Sequence, residues 1–399
     1  MSDAPRADRE AAGTPSETGR ALAGFLLSGF LQALLGSVLI AWGYHRDPPD
    51  FTAVGNYFLS LAVGIVAASA LAKSLMRSRG LSFLLVFACA LACLALSYLA
   101  LVGPPLSAWW RVAGFLVLGV SAGLLNRALF HAISRGYTAD PAGTANQGGI
   151  WYGAGCLLAT LMVSAAIYAF STPAILIFMA LVPGVFAAIY ARSRYTVLPE
   201  ATQPTLRQAV EDFRSPGAIL FALLLFFQFG NEWSIGGWLP ILLFRLVGLS
   251  PEAALRTLAL YWLCLTGGRL VAVMILPRVR HAKILMGSVL AALFGCLILF
   301  STDNSFGAAT GAVFLGAGYA SIYPLVAEAI GRRFPYYHPG FFSGIFSLAL
   351  VGGLIAPATL GYVAAGLGVK VVFAIPLIGT CTVALLILLI WLESKVTGR

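Results

Sequence analysis

One carboxylate lies within an otherwise apolar stretch of the sequence, which makes it the first candidate for chemistry. Glu232 is in the segment FGNEWSIGGWLP at 229–240, close to Gly230, Gly236, Gly237 and Pro240. An ionisable side chain inside a membrane span is costly and indicates a functional role. Glu232 is therefore a candidate proton carrier, or a hydrogen-bond acceptor for a polar ligand. The alternative role is a structural hydrogen bond that steadies a helix which its glycines make easy to bend.

A cation inside the next apolar stretch is the natural partner to consider. Arg269 is expected to bind an anionic group or to balance a carboxylate, or else to form a purely structural pair. At a rise of 1.5 Å per residue, Arg269 is expected to lie roughly 10 Å closer to the cytoplasmic side of the membrane than Glu232. A direct pair therefore requires the full length of the arginine side chain, or a water. Arg111 begins another span near its outer face, where we expect the side chain to snorkel.

Neutral amides and aromatic rings are the other polar groups in the apolar stretches, and they suit a hydroxyl-rich or mixed-polarity solute. Aromatic residues in membrane spans also serve as packing or as an interfacial belt, so each has this alternative role. A strongly anionic substrate would require more buried cations. The residues assigned to substrate binding are Gln32, Tyr44, Asn126, Gln147, Trp151, Gln228, Asn231, Trp233 and Tyr323.

A third group of titratable residues lies near the ends of two spans. His131 and Glu328 occupy equivalent positions in an internal repeat described below, and Arg332 follows one turn after Glu328. Histidine changes its charge near neutral pH. These three residues are assigned to an inner gate. The alternative is ordinary charge complementation at a helix end.

Enzymatic chemistry finds little support in the sequence. Residues 119–123 read GVSAG, which has the GxSxG form of a hydrolase elbow, but that elbow requires a strand-to-helix turn and Ser121 lies in a helical stretch. Small residues for close helix packing explain the motif better. The six cysteines lie in apolar stretches without a CxxC pair. We therefore predict no catalytic residue, no metal site and no cofactor.

The elements that must position these residues are membrane helices. Hydrophobic residues make up 60% of the 399 positions and charged residues only 10%, whereas about 25% is usual in a soluble domain. This composition excludes a soluble or disordered chain. The predicted fold is an all-α membrane protein of twelve transmembrane helices in two pseudo-symmetric six-helix bundles. The expected spans are 21–44, 52–75, 81–102, 107–130, 146–170, 173–192, 217–244, 255–277, 284–301, 306–330, 340–365 and 369–392.

Polar segments divide the chain around these spans. Residues 1–20 are interpreted as a disordered cytoplasmic tail, 21–192 as the N-terminal bundle and 193–216 as a cytoplasmic linker. The C-terminal bundle follows at 217–392 and a short cytoplasmic tail at 393–399.

The net charge of +10 reflects topology. Lys and Arg concentrate in the segments on the side of the two termini, and only Arg46, Arg245, Arg256 and Lys370 fall on the other side. The positive-inside rule then places both termini in the cytoplasm of an inner or plasma membrane. A basic patch for nucleic acid is the alternative that this distribution argues against.

The two sets of six spans resemble each other in sequence. Gln32 and Trp42 are ten residues apart, as are Gln228 and Trp238. GFLVLG at 114–119 matches GAVFLG at 311–316, and YFLSLAVG at 57–64 matches YWLCLTGG at 261–268. Ordered matches at a nearly constant offset indicate a duplicated unit. Two such halves with a site between them are a transporter architecture.

The chain resembles the major facilitator superfamily over 21–392. FGNEWSIGGWLP at 229–240 is similar to the seventh helix, and IYPLVAEAIG at 322–331 to the tenth helix, of its fucose-permease-like members. LAKSLMRSR at 71–79 is similar to the superfamily's signature after the second helix, with Lys73 in place of its acid. The resemblance implies the twelve-helix fold, alternating access and a central cavity that Gln32 and Gln228 face.

The sequence thus predicts a secondary transporter for a small polar organic solute, sugar-like, in the lipid bilayer, with Glu232 and Arg269 assigned to proton coupling. No carboxylate lies in the first six expected spans, so coupling to protons depends on Glu232. The chain is expected to work as a monomer, without nucleic acid. The main alternative is a proton-driven exporter of amphiphilic drugs or lipids. A receptor, a scaffold or a membrane enzyme is a further alternative.

Overall fold

The computed structural model of the protein is built from long helices. It describes residues 15–46, 49–134, 137, 140–193, 195, 207, 210–211, 213–334 and 344–397. Within these ranges there are twelve helices long and apolar enough to cross a membrane, and no strand. The predicted all-α fold with twelve spans is therefore confirmed. Most of the predicted tail at 1–20 and of the predicted linker at 193–216 lies outside the described residues.

We number the twelve spans in chain order. The first six are α1 Pro15–Ala41, α2 Phe51–Arg79, α3 Leu81–Leu101, α4 Ala108–Ala132, α5 Pro141–Ala166 and α6 Thr172–Ala191. The second six are α7 Pro216–Leu242, α8 Pro251–Ile275, α9 His281–Ser301, α10a Ser305–Ala320 with α10b Ile322–Arg333, α11 Ile345–Leu367 and α12 Val369–Thr397. A π-helical turn, Leu243–Val247, extends α7.

Helix starts follow local capping signals more closely than hydropathy. Asp140 accepts a hydrogen bond from the backbone N–H of Gly143 at 2.9 Å, and Pro141 opens α5. Ser250 likewise accepts from Ala253 N at 3.2 Å, ahead of Pro251 at the start of α8. A polar cap followed by proline is a strong start signal. Both helices therefore begin four or five residues before the expected spans.

The outermost helices are also longer than predicted. α1 begins at Pro15 and α12 continues to Thr397, so residues 15–20 and 393–397 are helical where tails were expected. Charged and polar residues such as Glu17 and Glu393 continue a helix beyond its apolar part, because the backbone hydrogen bonds do not depend on hydropathy.

The bend expected in the seventh span lies elsewhere. α7 is continuous through Gly230, Gly236 and Gly237 and changes only after Leu242. The glycines are occupied by close contacts, since a Cβ on Gly237 would lie 2.5 Å from the Phe58 ring. The tenth span is the discontinuous one, because it breaks at Ser321.

The two sets of six helices have the same packing partners. α1 packs on α5 and α7 on α11; α2 packs on α4 and α8 on α10a; α3 packs on α6 and α9 on α12. The tightest crossings recur as well. Gly119 lies against the Leu61 backbone and Gly316 against the Tyr261 backbone, in the two matching glycine motifs. This is the arrangement expected of a duplicated six-helix unit.

Because each of the twelve spans runs from one side of the bundle to the other, the bundle has two ends. We call the end where the described chain starts and stops the terminal face, and the other end the opposite face. At the opposite face the two halves touch closely, since Phe58 stacks on Trp238 with ring centroids 6.1 Å apart. Gly361 approaches Gly55 so closely that a Cβ on Gly361 would lie 2.5 Å from the Gly55 Cα. The halves are therefore closed against each other at this face.

Candidate functional site

A cavity of about 1000 Å³ lies between the two halves. It reaches from the middle of the bundle toward the terminal face, where Tyr137 and Thr144 beside the α4–α5 loop line it. α1, α2, α4 and α5 form one wall, and α7, α8, α10b and α11 form the other. Ligand pockets commonly combine an apolar lining with a few polar groups, as this cavity does.

The wall from the first half carries hydrogen-bonding side chains. Ser28 Oγ donates to Asn126 Oδ1 at 2.5 Å, and Tyr152 OH donates to Gln32 Oε1 at 3.1 Å. These two bonds occupy the amide oxygens of Asn126 and Gln32. Each amide has two N–H donors as well. This wall therefore presents N–H donors to the cavity.

The wall from the second half carries four aromatic residues beside Glu232 and Arg269. Phe229, Trp233, Tyr323 and Phe346 line it, and the rings of Phe229 and Tyr323 lie 5.0 Å apart. Aromatic faces bind the apolar side of a ring-shaped ligand. Phe25, Phe130, Tyr137 and Tyr152 line the first wall as well. Aromatic rings therefore face the cavity from both halves, and the amides of Gln32 and Asn126 lie among those of the first half.

Glu232 and Arg269 form a buried ion pair in the cavity wall. Glu232 Oε1 is 3.6 Å from Arg269 Nη2, and the two side chains are 3% and 4% exposed. The second carboxylate oxygen, Oε2, has no hydrogen-bond partner among the described residues. The long side chain of Arg269 thus covers the distance along the membrane axis between its backbone and Glu232, and the two residues pair directly.

The rest of the Arg269 guanidinium bonds to two backbone carbonyls. Nη1 donates to Gly149 O at 2.6 Å and Nε to Ala320 O at 3.4 Å. Pro324 has no N–H to bond to the carbonyl four residues earlier, so Ala320 O is left for Arg269. Gly149 has no side chain in the way, since a Cβ there would lie 2.8 Å from Nη1. Arg269 therefore connects both halves of the molecule.

Asn146 adds a second hydrogen bond across this junction, because its Nδ2 donates to Arg269 O at 3.0 Å. Asn146, Gly149 and Tyr152 were not assigned to the site from sequence. The signal that marks their side of α5 is its glycines. Gly149 and Gly153 lie against Arg269 and Thr266 of α8, and Gly148 lies nearest to Phe25 of α1.

Six of the residues assigned to substrate binding or proton coupling line the cavity, and five do not. Those in the lining are Gln32, Asn126, Trp233, Tyr323, Glu232 and Arg269. Gln147 and Trp151 are exposed on the outer side of α5, next to the cavity residues Gly148 and Tyr152. One residue corresponds to a rotation of about 100° around a helix, which turns these two side chains away.

The remaining three lie apart from the cavity. Gln228 is fully buried, with neither amide atom hydrogen-bonded within the described part of the chain. Asn231 is buried and donates to Thr380 Oγ1 at 3.3 Å. Tyr44 lies beyond the end of α1 at the opposite face, where its hydroxyl bonds to Tyr57.

Arg111 lies with Tyr44 and Tyr57 at the opposite face. Its side chain is buried, so the expectation that it snorkels toward the membrane surface is wrong. It is 4% exposed and donates to Tyr57 OH at 2.8 Å and Tyr44 OH at 3.1 Å. It also donates to the carbonyls of Val102 and Leu106, at 3.1 and 2.9 Å, in the α3–α4 loop. Hydrogen bonding explains the burial, because a guanidinium with five donors is stable inside a protein only when they are satisfied.

The three residues assigned to an inner gate lie near the terminal face. Glu328 forms ion pairs with Arg332 and with His281 at the start of α9, the latter at 3.0 Å. Arg332 is mostly exposed, whereas His131 is buried in α4. A further pair, Arg333 with Glu393, connects α10b to the end of α12 through two bonds of 2.6 and 2.5 Å.

Two other sequence features have structural roles. Ser121 is buried and donates to Ala88 O at 2.8 Å, and Gly119 and Gly123 allow α4 to approach the α2 backbone. All six cysteines are free. No group of three or more His, Cys, Asp or Glu side chains in the described ranges is placed to hold a metal ion.

No protein-family model matches the chain. An uncharacterized MFS-type transporter of Yersinia pestis is 25% identical over 370 residues, which is 90% of this chain and 91% of that protein.

Solved structures with a similar fold are transporters. The D-xylose-proton symporter has a TM-score of 0.73 at 16% identity, over 94% of this chain and 96% of that one. The nucleoside transporter NupG has a TM-score of 0.68 at 14% identity, over 96% and 100%. The E. coli fucose:proton symporter has a TM-score of 0.62 at 15% identity, over 94% and 98%. These likenesses concern the fold, which together with the relative of Yersinia pestis confirms the resemblance of this chain to the transporters of the major facilitator superfamily.

Proposed function

We propose that this protein is a secondary transporter that moves a small polar organic solute, sugar-like in its hydroxyl groups, across the inner or plasma membrane. In this proposal the terminal face is cytoplasmic and the monomer is the working unit. The observation that carries the proposal is the cavity between two repeat-related halves, which are closed against each other at the opposite face while the cavity reaches toward the terminal face. Alternating access requires such a site at the interface of two halves.

The lining of the cavity supports a ligand that has both acceptor oxygens and an apolar ring face. The amide N–H groups of Gln32 and Asn126 suit hydroxyl or carbonyl oxygens. The rings of Phe229, Trp233 and Tyr323 suit the apolar face of a pyranose or a planar base. The similar folds of transporters for xylose, fucose and nucleosides agree with this class.

Glu232 is proposed to carry the coupled proton. Its carboxylate lies in the cavity wall, and Arg269 balances its charge. Protonation of Glu232 removes this balance and leaves Arg269 held only by carbonyls, among them Gly149 O of the other half. The proton thereby changes the contact between the halves.

Ligand-dependent thermal stability of the purified protein tests the substrate class. A ligand that binds only the folded protein raises its unfolding midpoint. We expect monosaccharides or nucleosides to stabilise the protein, and Gln32→Ala to abolish the effect. Gln147→Ala is the matched control, because this glutamine is exposed away from the cavity. Equal loss of the effect in both variants, or no stabilisation by any hydroxylated ligand, contradicts the proposal.

Proteoliposomes with an imposed pH gradient test the coupling. Glu232→Gln is expected to abolish accumulation of the ligand while it preserves exchange at equal concentrations. Glu252→Gln, in the first turn of α8 at the opposite face, is the control and keeps accumulation. Undiminished pH-driven accumulation in Glu232→Gln would show that the proton binds elsewhere.

An exporter of amphiphilic drugs or lipids is the second candidate, and the aromatic lining of the cavity favours it. Stabilisation by amphiphiles alone in the same panel, together with lower drug tolerance of cells that lack the gene, would support it. Unchanged tolerance across a broad panel argues against it.

A further inference from the structure

A second concave region lies on the outside of the second half, away from the central cavity. It is a groove of about 1220 Å³ between α8, α9 and α10a. Its lining is almost entirely apolar and includes Leu263, Val271 and Ala291. Leu263 and Val271 are about half exposed. In a membrane these side chains face the hydrocarbon of the bilayer, so lipid is the medium that fills the groove.

Missing side chains create the groove. Gly267 on α8 and Gly287 on α9 have no atom within 4 Å of the position that a Cβ would occupy. Gly268, by contrast, packs against Ala317 and Ala320 and closes the floor. A linear hydrocarbon chain therefore fits along this surface, where larger residues at 267 and 287 would fill it.

A basic loop adjoins the end of the groove at the terminal face. Ile275 and Ile284 line the groove on either side of residues 276–283. The loop part of this segment holds Arg278 and Arg280, and the first turn of α9 holds Lys283. All three are exposed, and none forms an ion pair with a carboxylate in the part of the chain that the structure describes. Arg278 is oriented by a bond from Nη1 to Met274 O at 2.9 Å. Three cations beside an apolar groove complement a lipid that has an anionic headgroup.

We propose that this groove binds an anionic phospholipid, with its phosphate at Arg278, Arg280 and Lys283 and one acyl chain along Gly267 and Gly287. A second copy of the chain is a less suitable occupant, because two symmetric copies would place their basic loops near each other. The groove also contacts Ser321, the break between α10a and α10b. The bound lipid thus touches the segment whose carbonyl holds Arg269.

The test uses the full chain in detergent and short-chain phosphatidylglycerol or phosphatidylcholine as the added lipid. We expect phosphatidylglycerol to raise the unfolding midpoint by several degrees and phosphatidylcholine to have little effect. The double variant Gly267→Leu/Gly287→Leu is expected to lose this shift. Gly366→Leu on α11 is the matched control, since this glycine is also surrounded by open space and lies outside the groove.

The charge side of the site is tested by Arg278→Gln/Arg280→Gln/Lys283→Gln, which is expected to remove the preference for phosphatidylglycerol. Arg192→Gln, at the end of α6 on the same face, retains it. The lipid-free midpoint of every variant reports whether it folds. A phosphatidylglycerol shift that survives in the groove-filled variant overturns the proposal. So does a wild-type dimer, in size-exclusion chromatography with light scattering, that only the groove-filled variant loses, because the occupant is then a second copy.

Discussion

At the scale of single residues, Arg269 on α8 connects three other helices. It pairs with Glu232 on α7 and bonds to carbonyls on α5 and α10a. Burying an ion pair costs solvation energy, and the attraction between the charges returns it only when the remaining donors are satisfied. The two carbonyls accept from Nε and Nη1 of Arg269, but Oε2 of Glu232 has no hydrogen-bond partner among the described residues. We therefore expect removal of either charge alone to destabilise the protein.

Neutralising Glu232 and Arg269 singly and together measures how strongly the two charges stabilise the protein. Arg269→Gln alone leaves Glu232 buried without a partner and is expected to cost about 3–5 kcal/mol of stability. The double variant Arg269→Gln/Glu232→Gln removes both charges and should recover most of this loss. Chemical denaturation of the four proteins in the cycle measures it. Additive losses in the double variant would mean that the two residues do not interact energetically.

A histidine at the opposite face gives a prediction for pH. The His45 ring lies 4.6 Å from the Phe244 ring across the two halves, and its carbonyl accepts from Arg245 at 3.5 Å. Burial, followed by the nearby charge of Arg46, lowers the pKa of His45 from its ordinary value of 6.5. The open form, in which the ring is exposed, therefore binds protons more readily than the closed form.

The contribution of His45 to closure is present above about pH 6.5 and is lost as the pH falls through the lowered pKa. We expect acidification to separate the α1–α2 and α7–α8 loops. Distances between spin labels on these two loops report the separation. His45→Gln should remove this part of the pH dependence, and an identical pH profile in that variant would exclude His45 as the cause.

The sequence predicts which residues line the cavity where a charged residue stands out within an apolar span. Glu232 and Arg269 stand out because a charge in an apolar span is rare, and both line the cavity. Gln147 and Trp151 were misplaced because composition does not give the rotation of a helix about its axis. Tyr152, one residue further, is the one that reaches Gln32.

At the scale of elements, glycines decide where the halves meet. Gly361 on α11 approaches the backbone of Gly55 on α2, and Gly36 on α1 approaches that of Gly236. Backbone atoms cannot move aside as a flexible side chain can. These contacts therefore fix how closely the helices of the two halves approach at the opposite face.

A single methyl group at this contact should favour the open form. Gly361→Ala places a Cβ 2.5 Å from the Gly55 Cα and 2.6 Å from its N, so closure requires the helices to separate. A cysteine introduced at Gln32 in the cavity is then expected to react faster with a membrane-impermeant maleimide added from the opposite face. Gly366→Ala, on the same helix with open space around it, serves as the control. Equal rates in the two variants would show that this crossing does not control access.

The existence of the elements could be predicted from hydropathy, whereas their irregularities could not. Each expected span contains a helix within the described residues, but the break lies at Ser321 and not in the glycine-rich α7. Glycine permits a bend without requiring one, and tight packing keeps α7 straight. Pro324 requires the loss of one helix hydrogen bond, which Arg269 replaces.

At the scale of the whole molecule, the repeat explains why one cavity lies in the middle. The two halves share their packing partners, and each has its own tightly packed glycine crossings. The sequence predicts this because the matching motifs hold the glycines of those crossings. It does not predict the state in which the halves rest, since that depends on contacts between halves that composition does not encode.

Under the proposed alternating-access mechanism, one link across the opposite face should stop transport. Tyr362 OH on α11 donates to Asn56 Oδ1 on α2 at 2.6 Å, so cysteines at these two positions lie within reach of a short thiol-specific cross-linker that a reductant cleaves. We expect cross-linking to abolish solute uptake in proteoliposomes and reduction to restore it. The work is done in a background without the six native cysteines.

A link within one half provides the control. Thr172 Oγ1 on α6 donates to Ala41 O on α1 at 3.0 Å, and both residues lie near the opposite face in the first half. Cysteines at 41 and 172 should cross-link with little loss of uptake, because alternating access moves the halves relative to each other and leaves each one intact. Loss of uptake with both links would indicate that the halves deform during transport. Retained uptake with the 56–362 link would show that the opposite face does not open, and the protein would then not work by alternating access.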